Sequence, residues 1–524
     1  MIGLADLAGT GRDWDTARRS FTWPAIDRYN IAADCLRAPA DRPAVLGVRT
    51  TTFGELAAAS AALARYLLVD LGCRPGDRVA VKLSQSVDMA VCVLAGLRAG
   101  LVVVPLSTVL GEDGLRHRVT DSEPRVLIAE GTADDAELAG TVGADLIPTR
   151  NGLPTGRPPD RPVMADTDPG SAALLMYTSG TTGKPKGVLH GHRVLLGHHA
   201  ISYALDGVRA DDVAYSPVDW AWAGGLLLGL LVPLAHGIPV VAYRQARFDP
   251  QRVIAVLREH GVSVGLFPPT ALRLLRDSGR LTGDTAGLRV RCLVTGAEAV
   301  EPELAGWTRQ AMHATLNNAY GQTEANALVG HSTLLGPLDA AALGRPYPGH
   351  TVAVLDERLR PVPAGVAGQI AVRADDPVCM LRYWRADAAT AATVRDGWLL
   401  TGDTAHADES GQLFFHGRDD DLIKTGGYRL GPAEIESALL AHPAVAECAV
   451  IGVPDAARGE VVAAHVRLRP DVVPDEELTQ ALRDAVRRRV GAHAVPRSVV
   501  YVDALPRTST GKVDRAGLRA SAVR

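Results

Sequence analysis

Lysine is almost missing from this chain. Of 55 basic residues in 524 positions only five are lysine, Lys82, Lys184, Lys186, Lys424 and Lys512. Nearly every ordinary surface cation is therefore an arginine, and the remaining lysines stand out, because an ammonium is a compact point charge that a planar guanidinium does not imitate. Cysteine is scarce too: Cys35, Cys73, Cys92, Cys292, Cys379 and Cys448 are scattered, with no C-x-x-C pair and no histidine cluster at zinc spacing. That excludes a disulfide framework and a zinc module and predicts buried thiols in a reducing compartment. An excess of one charge is lacking as well, 55 Lys+Arg standing against 59 Asp+Glu for a net −4, so there is no electrostatic case for nucleic acid or an anionic membrane as partner. Gly 53 and Pro 33 together make 86 of 524 residues, about 16%, too few for a disordered chain. The greasiest stretch, 220–235 (WAWAGGLLLGLLVPLA), holds three glycines and a proline and is shorter than the ~20 residues of a membrane span. It reads as buried core. The opening MIGLADLAGTGRDWD lacks a basic region ahead of an apolar run, so no signal peptide is predicted and the expected location is the cytoplasm.

What is present is an alternation of periods. From Arg78, RVAVKLSQS reads as a strand, VDMAVCVLAGLRAG as an apolar helix, LVVVPLS as a strand, GEDGLRHRVTDS as a helix and RVLIAE as a third strand. Short β-rich runs alternating with helical stretches predict βαβ units and a parallel sheet. The pattern returns in DPQRVIAVLREHG (helix), VSVGLFPP (strand), TALRLLRDSG (helix) and RVRCLVTGAE (strand), while 131–168, rich in Gly, Pro and Asp, reads as surface connection. Past Gly349 the texture becomes hairpin-like, and after the charged stretch GRDDDLIKTGG it becomes a mixture of helices and strands. The predicted fold is α/β: a large N-terminal domain, 1–417, of parallel-rich βαβ sheets plus a β-rich subdomain, and a small α+β C-terminal domain, 418–524. In open α/β sheets ligands sit beyond the carboxyl ends of the strands, which directs attention to the loops after Met176, Phe267, Val294 and Leu316.

The first of those loops carries the strongest local signal. Directly after the strand ALLM comes Tyr177-Thr178-Ser179-Gly180-Thr181-Thr182-Gly183-Lys184-Pro185-Lys186-Gly187. Its glycines let the backbone approach a ligand, its hydroxyls add donors, and two of the five lysines supply charge: a phosphate cradle. It is not a Walker A loop, since Pro follows the Gly-Lys pair. Further on stand Gly296-Ala297-Glu298-Ala299, Asn318-Ala319-Tyr320-Gly321-Gln322-Thr323-Glu324, Thr401-Gly402-Asp403, Gly417-Arg418-Asp419-Asp420-Asp421, Gly426-Gly427-Tyr428-Arg429 and Thr508-Ser509-Thr510-Gly511-Lys512. Taken alone, the triple Asp reads as a solvated charge run.

In this order the motifs resemble those of the adenylate-forming (AMP-binding) superfamily, over nearly the whole chain, and look closest to short- and medium-chain or aryl acyl-CoA synthetases. The resemblance implies ATP, Mg²⁺ and CoA as co-substrate. It places ATP on Thr178, Ser179, Gly180, Thr181, Thr182, Gly183, Lys186, Ala297, Glu298, Asn318, Ala319, Tyr320, Gly321, Gln322, Thr323, Asp403, Arg418 and Arg429. Tyr320 is then the adenine stack, Glu324 the Mg²⁺ ligand, Asp403 the ribose clasp, and Thr178, Glu324 and Lys512 the catalytic set. It further implies a mobile C-terminal domain with Asp420 as hinge, a CoA tunnel along Gly426 and Gly427, and an acyl pocket at Trp222, Gly224 and Gly321. Core packing is the competing reading of Trp222, close behind the pocket role. Gly321 stands where acetyl-CoA synthetases carry a pocket-closing Trp, which implies an acid larger than acetate. The expected reaction is activation of a carboxylic acid as acyl-adenylate with release of pyrophosphate, then thioester formation with CoA. The alternatives are transfer to a carrier-protein thiol or a nitrogen nucleophile, including nitrite-dependent diazotisation, and an inactive nucleotide-binding relative. The expected partner is a small carboxylic acid, with no nucleic acid and no membrane, and with a homodimer as a further option.

Overall fold

The computed structural model describes residues 2–7, 13–154, 163–178, 185–243, 248–281, 287–296, 300, 302–418, 421, 423–425, 428–455, 459–508 and 513–522. The chain forms two compact units, one containing Met1–Thr178, Pro185–Thr351 and Val372–Leu399, the other containing Val352–Ala371 and Leu400–Arg524.

The βαβ alternation read from Arg78 onward is present in the first unit. Strands Arg78–Lys82, Val102–Pro105 and Val126–Ala129 pair in parallel, and helices Val87–Arg98 and Glu112–Ser122 make the crossovers. VVVP and VLIA are buried at every position, as strands covered on both faces must be. The 87–98 helix is apolar all round, and residues 89–98 are buried without a break. Its one buried cation, Arg98, is satisfied by the carbonyls of Val163 (2.6 Å) and Ala57 (2.8 Å), the condition on which a charge tolerates burial. The sheet runs in the order Arg382–Tyr383, Gly187–Gly191, Ala172–Tyr177, Val102–Pro105, Arg78–Lys82, Val126–Ala129, Asp145–Pro148. Its first two joins are antiparallel and the others parallel. A second, nine-stranded sheet has parallel strands Val240–Val241, Ala214–Tyr215, Val264–Leu266, Cys292–Gly296 and Thr315–Gln322 at its centre. An antiparallel hairpin turns 315–322 back into Ala325–Gly330.

One stretch departs from the sequence reading. Residues 131–168 hold the helix Ala133–Gly140 and the strand Asp145–Pro148, which extends the first sheet. The run of Asp residues suggested a loop, yet Thr132 and Asp135 form a capping box, each side chain accepting from the other's backbone N–H, which is a helix start. The greasy 220–235 stretch is helical from Ala223 to Ala235, with a wider π turn at Leu227–Leu231. Leu226, Leu227, Leu230, Leu231, Val232 and Leu234 are all core residues. Among the described residues no helix is long and apolar enough to cross a membrane, and the six cysteines are all buried and form no disulfide with one another.

The second unit begins with a β-rich layer that includes Val352–Leu355, Trp398–Ala407 and Leu413–Arg418. It continues into a five-stranded sheet, Tyr428–Leu430, Ile423–Thr425, Gly459–Leu468 and Val445–Asp455, with Ser498–Tyr501 joining 459–468 in parallel. Helices Pro432–Leu440 and Glu476–Arg489 bury Ile435, Leu439, Leu482 and Val486 against Val450, Val462 and Val466. The whole is α/β with a β-rich subdomain and a C-terminal domain of mixed α and β elements.

Candidate active site

In the first unit the sequence motifs sit where parallel strands end. Thr178 follows strand 172–177 and its N–H donates to the Lys186 carbonyl (3.0 Å), so the two flanks of the Gly/Thr-rich loop leave the sheet as a pair. The flanks are pinned on both sides: Tyr177 Oη donates to Asp121 Oδ2 (2.7 Å), and His117 Nε2 lies 2.9 Å from the Pro185 carbonyl. Ser179, Gly180, Thr181, Thr182, Gly183 and Lys184 lie outside the described residues, as do Ala297 and Glu298.

Asn318, Ala319, Tyr320, Gly321 and Gln322 form the last part of strand 315–322, and Thr323 and Glu324 are the turn into 325–330. All seven are half-buried. The turn is fastened from two directions. Asn326 Nδ2 donates to the Gln322 carbonyl (2.6 Å), and His190 Nε2 lies 2.7 Å from the Thr323 carbonyl. Glu324 is held by backbone and side chain together: its carbonyl accepts from Met380 N–H (2.8 Å), and its Oε1 accepts from Tyr383 Oη (2.7 Å). The Lys186 ammonium stands 4.7 Å from the centre of that same Tyr383 ring. Thus the exit of the phosphate-type loop and the carboxylate of the Tyr-Gly-Gln-Thr-Glu motif meet on one tyrosine. Sequence reasoning named Lys186 and Glu324 and missed Tyr383 and His190, whose roles exist only in three dimensions.

Gly321 is needed for close approach. A Cβ there would lie 2.4 Å from the Ala327 nitrogen and 2.8 Å from the Asn326 carbonyl carbon, so no side chain enters without a backbone shift in the hairpin. Trp222 is half-buried and packs against the core of the first sheet, while Gly224 faces Leu266, 3.2 Å from where its Cβ would be. Its neighbour Trp220 is fully buried.

In the second unit Asp403 and Arg418 are directly opposed on antiparallel strands, Arg418 Nη1 lying 3.9 Å from Asp403 Oδ1. Asp403 is buried, and its N–H donates to Thr401 Oγ1 (3.1 Å) across Gly402, whose φ of +73° explains the glycine. The backbone of Arg429 pairs with that of Lys424. Asp420, Gly426, Gly427 and Lys512 lie outside the described residues. The ends of the Lys512 loop are nevertheless tied: Asp514 N–H donates to the Pro506 carbonyl (2.8 Å), and Arg507 pairs with Glu447 (3.0 Å). The following helix, Arg515–Ala522, is anchored by Arg515 on both oxygens of Glu436 (2.7 and 2.8 Å) and by Arg519 on Asp421 (2.6 Å). Asp421 is therefore a buried, paired carboxylate rather than part of a solvated charge run.

Among the described residues no group of three His, Cys, Asp or Glu side chains is placed to hold a metal ion. A single carboxylate with a neighbouring lysine suits a cation that arrives on a nucleotide's phosphates, since Mg²⁺ is typically held by one or two carboxylates plus phosphate oxygens.

Comparison with known proteins gives the family. Residues 31–384 match the AMP-binding enzyme family and 434–512 match the AMP-binding enzyme C-terminal domain. The chain belongs to the AMP-binding enzyme family. It is 30% identical over 561 residues to the acetyl-coenzyme A synthetase of Pyrobaculum arsenaticum, covering 96% of this chain and 83% of that one. Its fold superposes on ATP-bound MatB from Rhodopseudomonas palustris with a TM-score of 0.85 at 29% identity, over 94% of this chain and 98% of that one. It superposes on the amide bond synthetase McbA from Marinactinospora thermotolerans with a TM-score of 0.82 at 26% identity, over 94% and 99% of the two chains.

Proposed function

We propose that this protein is an AMP-forming acid–thiol ligase. A carboxylate oxygen of the substrate attacks the α-phosphorus of ATP and the α–β bond breaks, leaving acyl-adenylate and pyrophosphate. The CoA sulfur, its proton lost, then attacks the acyl carbon and AMP departs. The observation that carries the reading is the meeting of Lys186 and Glu324 on Tyr383 at the ends of the sheet strands, a cation for phosphate beside a carboxylate for the metal that phosphate brings. Mg²⁺, when bound, neutralises phosphate charge and orients the leaving pyrophosphate.

The residue roles follow from the same reading. Thr178, the loop 179–183 and Lys186 hold phosphates; Ala297, Glu298 and 318–323 hold the adenine side, with Tyr320 stacked on the base. Asp403 and Arg418 take the ribose, Arg429 reaches phosphate, and Lys512 bridges the substrate carboxylate and the α-phosphate. As charge develops at phosphorus, such a preorganised cation contributes several kcal/mol. The domain 418–524 then swings about Asp420 and presents Gly426 and Gly427 to the thiol. Trp222, Gly224 and Gly321 line the acyl side, and an acid larger than acetate belongs to the same reading. A cytoplasmic location, a homodimer, and no nucleic-acid or membrane partner belong to the same proposal.

A second reading keeps the adenylate and gives it to nitrogen, favoured by the likeness to an amide bond synthetase. The test is pyrophosphate release across acetate, octanoate, benzoates and cinnamates, with and without CoA, products identified by mass spectrometry. A CoA thioester of one of the larger acids is expected. CoA-indifferent release without thioester overturns the acceptor, and fastest turnover of acetate overturns the pocket.

A further inference from the structure

Tyr383 lies outside the sequence motifs named above, yet its side chain touches both Lys186 and Glu324. We infer that Tyr383 is a positioning residue for the metal–nucleotide site, its hydroxyl fixing the Glu324 carboxylate while its ring face holds the Lys186 ammonium. This rests on the reading of Glu324 as the group that meets the nucleotide-borne metal.

The tyrosine is well placed to act as a fixed point. It is only 5% exposed and ends the two-residue strand Arg382–Tyr383, which pairs with Val188 and Leu189 immediately after the Lys186 loop. Its own N–H donates to Thr390 Oγ1 (3.0 Å), and the next residue, Trp384, donates its N–H to the Gly187 carbonyl (2.7 Å) and its indole N–H to the Asp121 carbonyl (3.0 Å). The backbone on which the ring rides is thus tied to the strand that leaves Lys186. On the other side, Met380 N–H on the Glu324 carbonyl and a bridge between Ala325 and Cys379 tie the same segment to the Glu324 turn. A rigid ring between two strand systems transmits the spacing of one to the other.

Each contact does separate work. The 2.7 Å hydroxyl bond occupies Glu324 Oε1 and so selects one carboxylate rotamer; a hydrogen bond to a charged group is among the stronger ones. The ring face restrains Lys186, an otherwise exposed side chain with many rotamers, by attraction to the π cloud. Tyr383→Phe removes the first and keeps the second, whereas Tyr383→Leu removes both.

The test is binding of Mn²⁺ with ATP to the full-length protein, followed by electron paramagnetic resonance, alongside the melting temperature and Glu324→Gln. Tyr383→Phe is expected to weaken Mn²⁺·ATP binding about tenfold, leave binding of ATP in EDTA within about twofold, and melt close to wild type. Tyr383→Leu is expected to weaken metal-free ATP binding as well. Unchanged Mn²⁺·ATP binding in Tyr383→Phe, with Glu324→Gln impaired, overturns the positioning role alone. Unchanged binding in Glu324→Gln overturns the metal reading and the role with it.

Discussion

Lys82 and Lys186 are the two lysines whose side chains the structure describes, and both are engaged. Lys82 Nζ pairs with the buried Asp135 at 2.5 Å, and Lys186 sits on the Tyr383 ring. Scarcity of lysine pointed to the second as a ligand-facing cation; the partner of the first was not visible, because Asp135 lies 53 positions away in a stretch read as a loop. The same contrast runs through the candidate site. Glu324 and Asp403 were legible as motif residues, while Tyr383, His190 and Arg515 act through folded neighbours and leave no mark in a linear pattern. For Lys512 the proposed role makes a specific demand: the ammonium must reach between a carboxylate and a phosphate, where a guanidinium is too wide. Lys512→Arg is expected to lose at least about a hundredfold in pyrophosphate release, in line with the loss of one charge-stabilising group, with the circular dichroism spectrum unchanged.

At the scale of elements, periodicity served best where burial imposes it. The strands Arg78–Lys82, Val102–Pro105 and Val126–Ala129 and the helices between them were readable because each apolar run has one destination. The helix Ala133–Gly140 was not, since its sequence, ADDAELAG, is short and acidic and its start depends on Thr132 and Asp135 closing a capping box. Asp135 bears more than that cap. Burial pushes its carboxyl pKa up, but the Lys82 ammonium and the Thr132 N–H outweigh burial and hold it below the ordinary value. Its carboxylate also accepts from the N–H groups of Gly131 and Thr132, both at 2.9 Å. Removing one member of a buried pair costs about 3–5 kcal/mol. Asp135→Asn, which keeps the shape and loses the charge, is expected near the lower end of that range, read as a lowered midpoint in guanidinium denaturation of the first unit. A midpoint equal to wild type would make the pair dispensable.

The whole molecule carries a pH liability that no single element shows. His190, His192, His198 and His236 are buried so deeply that desolvation lowers each pKa to about 4, and burial takes His199 to about 3. All five lie in the first unit. An unfolded histidine titrates near 6.5. Between about pH 6.5 and 4, therefore, the unfolded chain binds protons that the folded chain refuses, and stability falls as pH falls. Each histidine contributes up to ~1.4 kcal/mol per pH unit in that window, so five together exhaust a typical stability of 5–15 kcal/mol within a few units. The first unit is expected to be stable and pH-indifferent at pH 7–8 and to unfold cooperatively near pH 5, followed by tryptophan fluorescence. A melting temperature constant from pH 7 to 4.5 would contradict this. The first half-reaction distinguishes this chemistry most directly, because it belongs to the adenylate and not to the acceptor. Its direct measure is acid-dependent exchange of labelled pyrophosphate into ATP with CoA omitted: exchange that requires a carboxylic acid and disappears in Lys512→Arg is expected. Failure of every acid in the panel to support exchange, or formation of ADP in place of AMP, would contradict it.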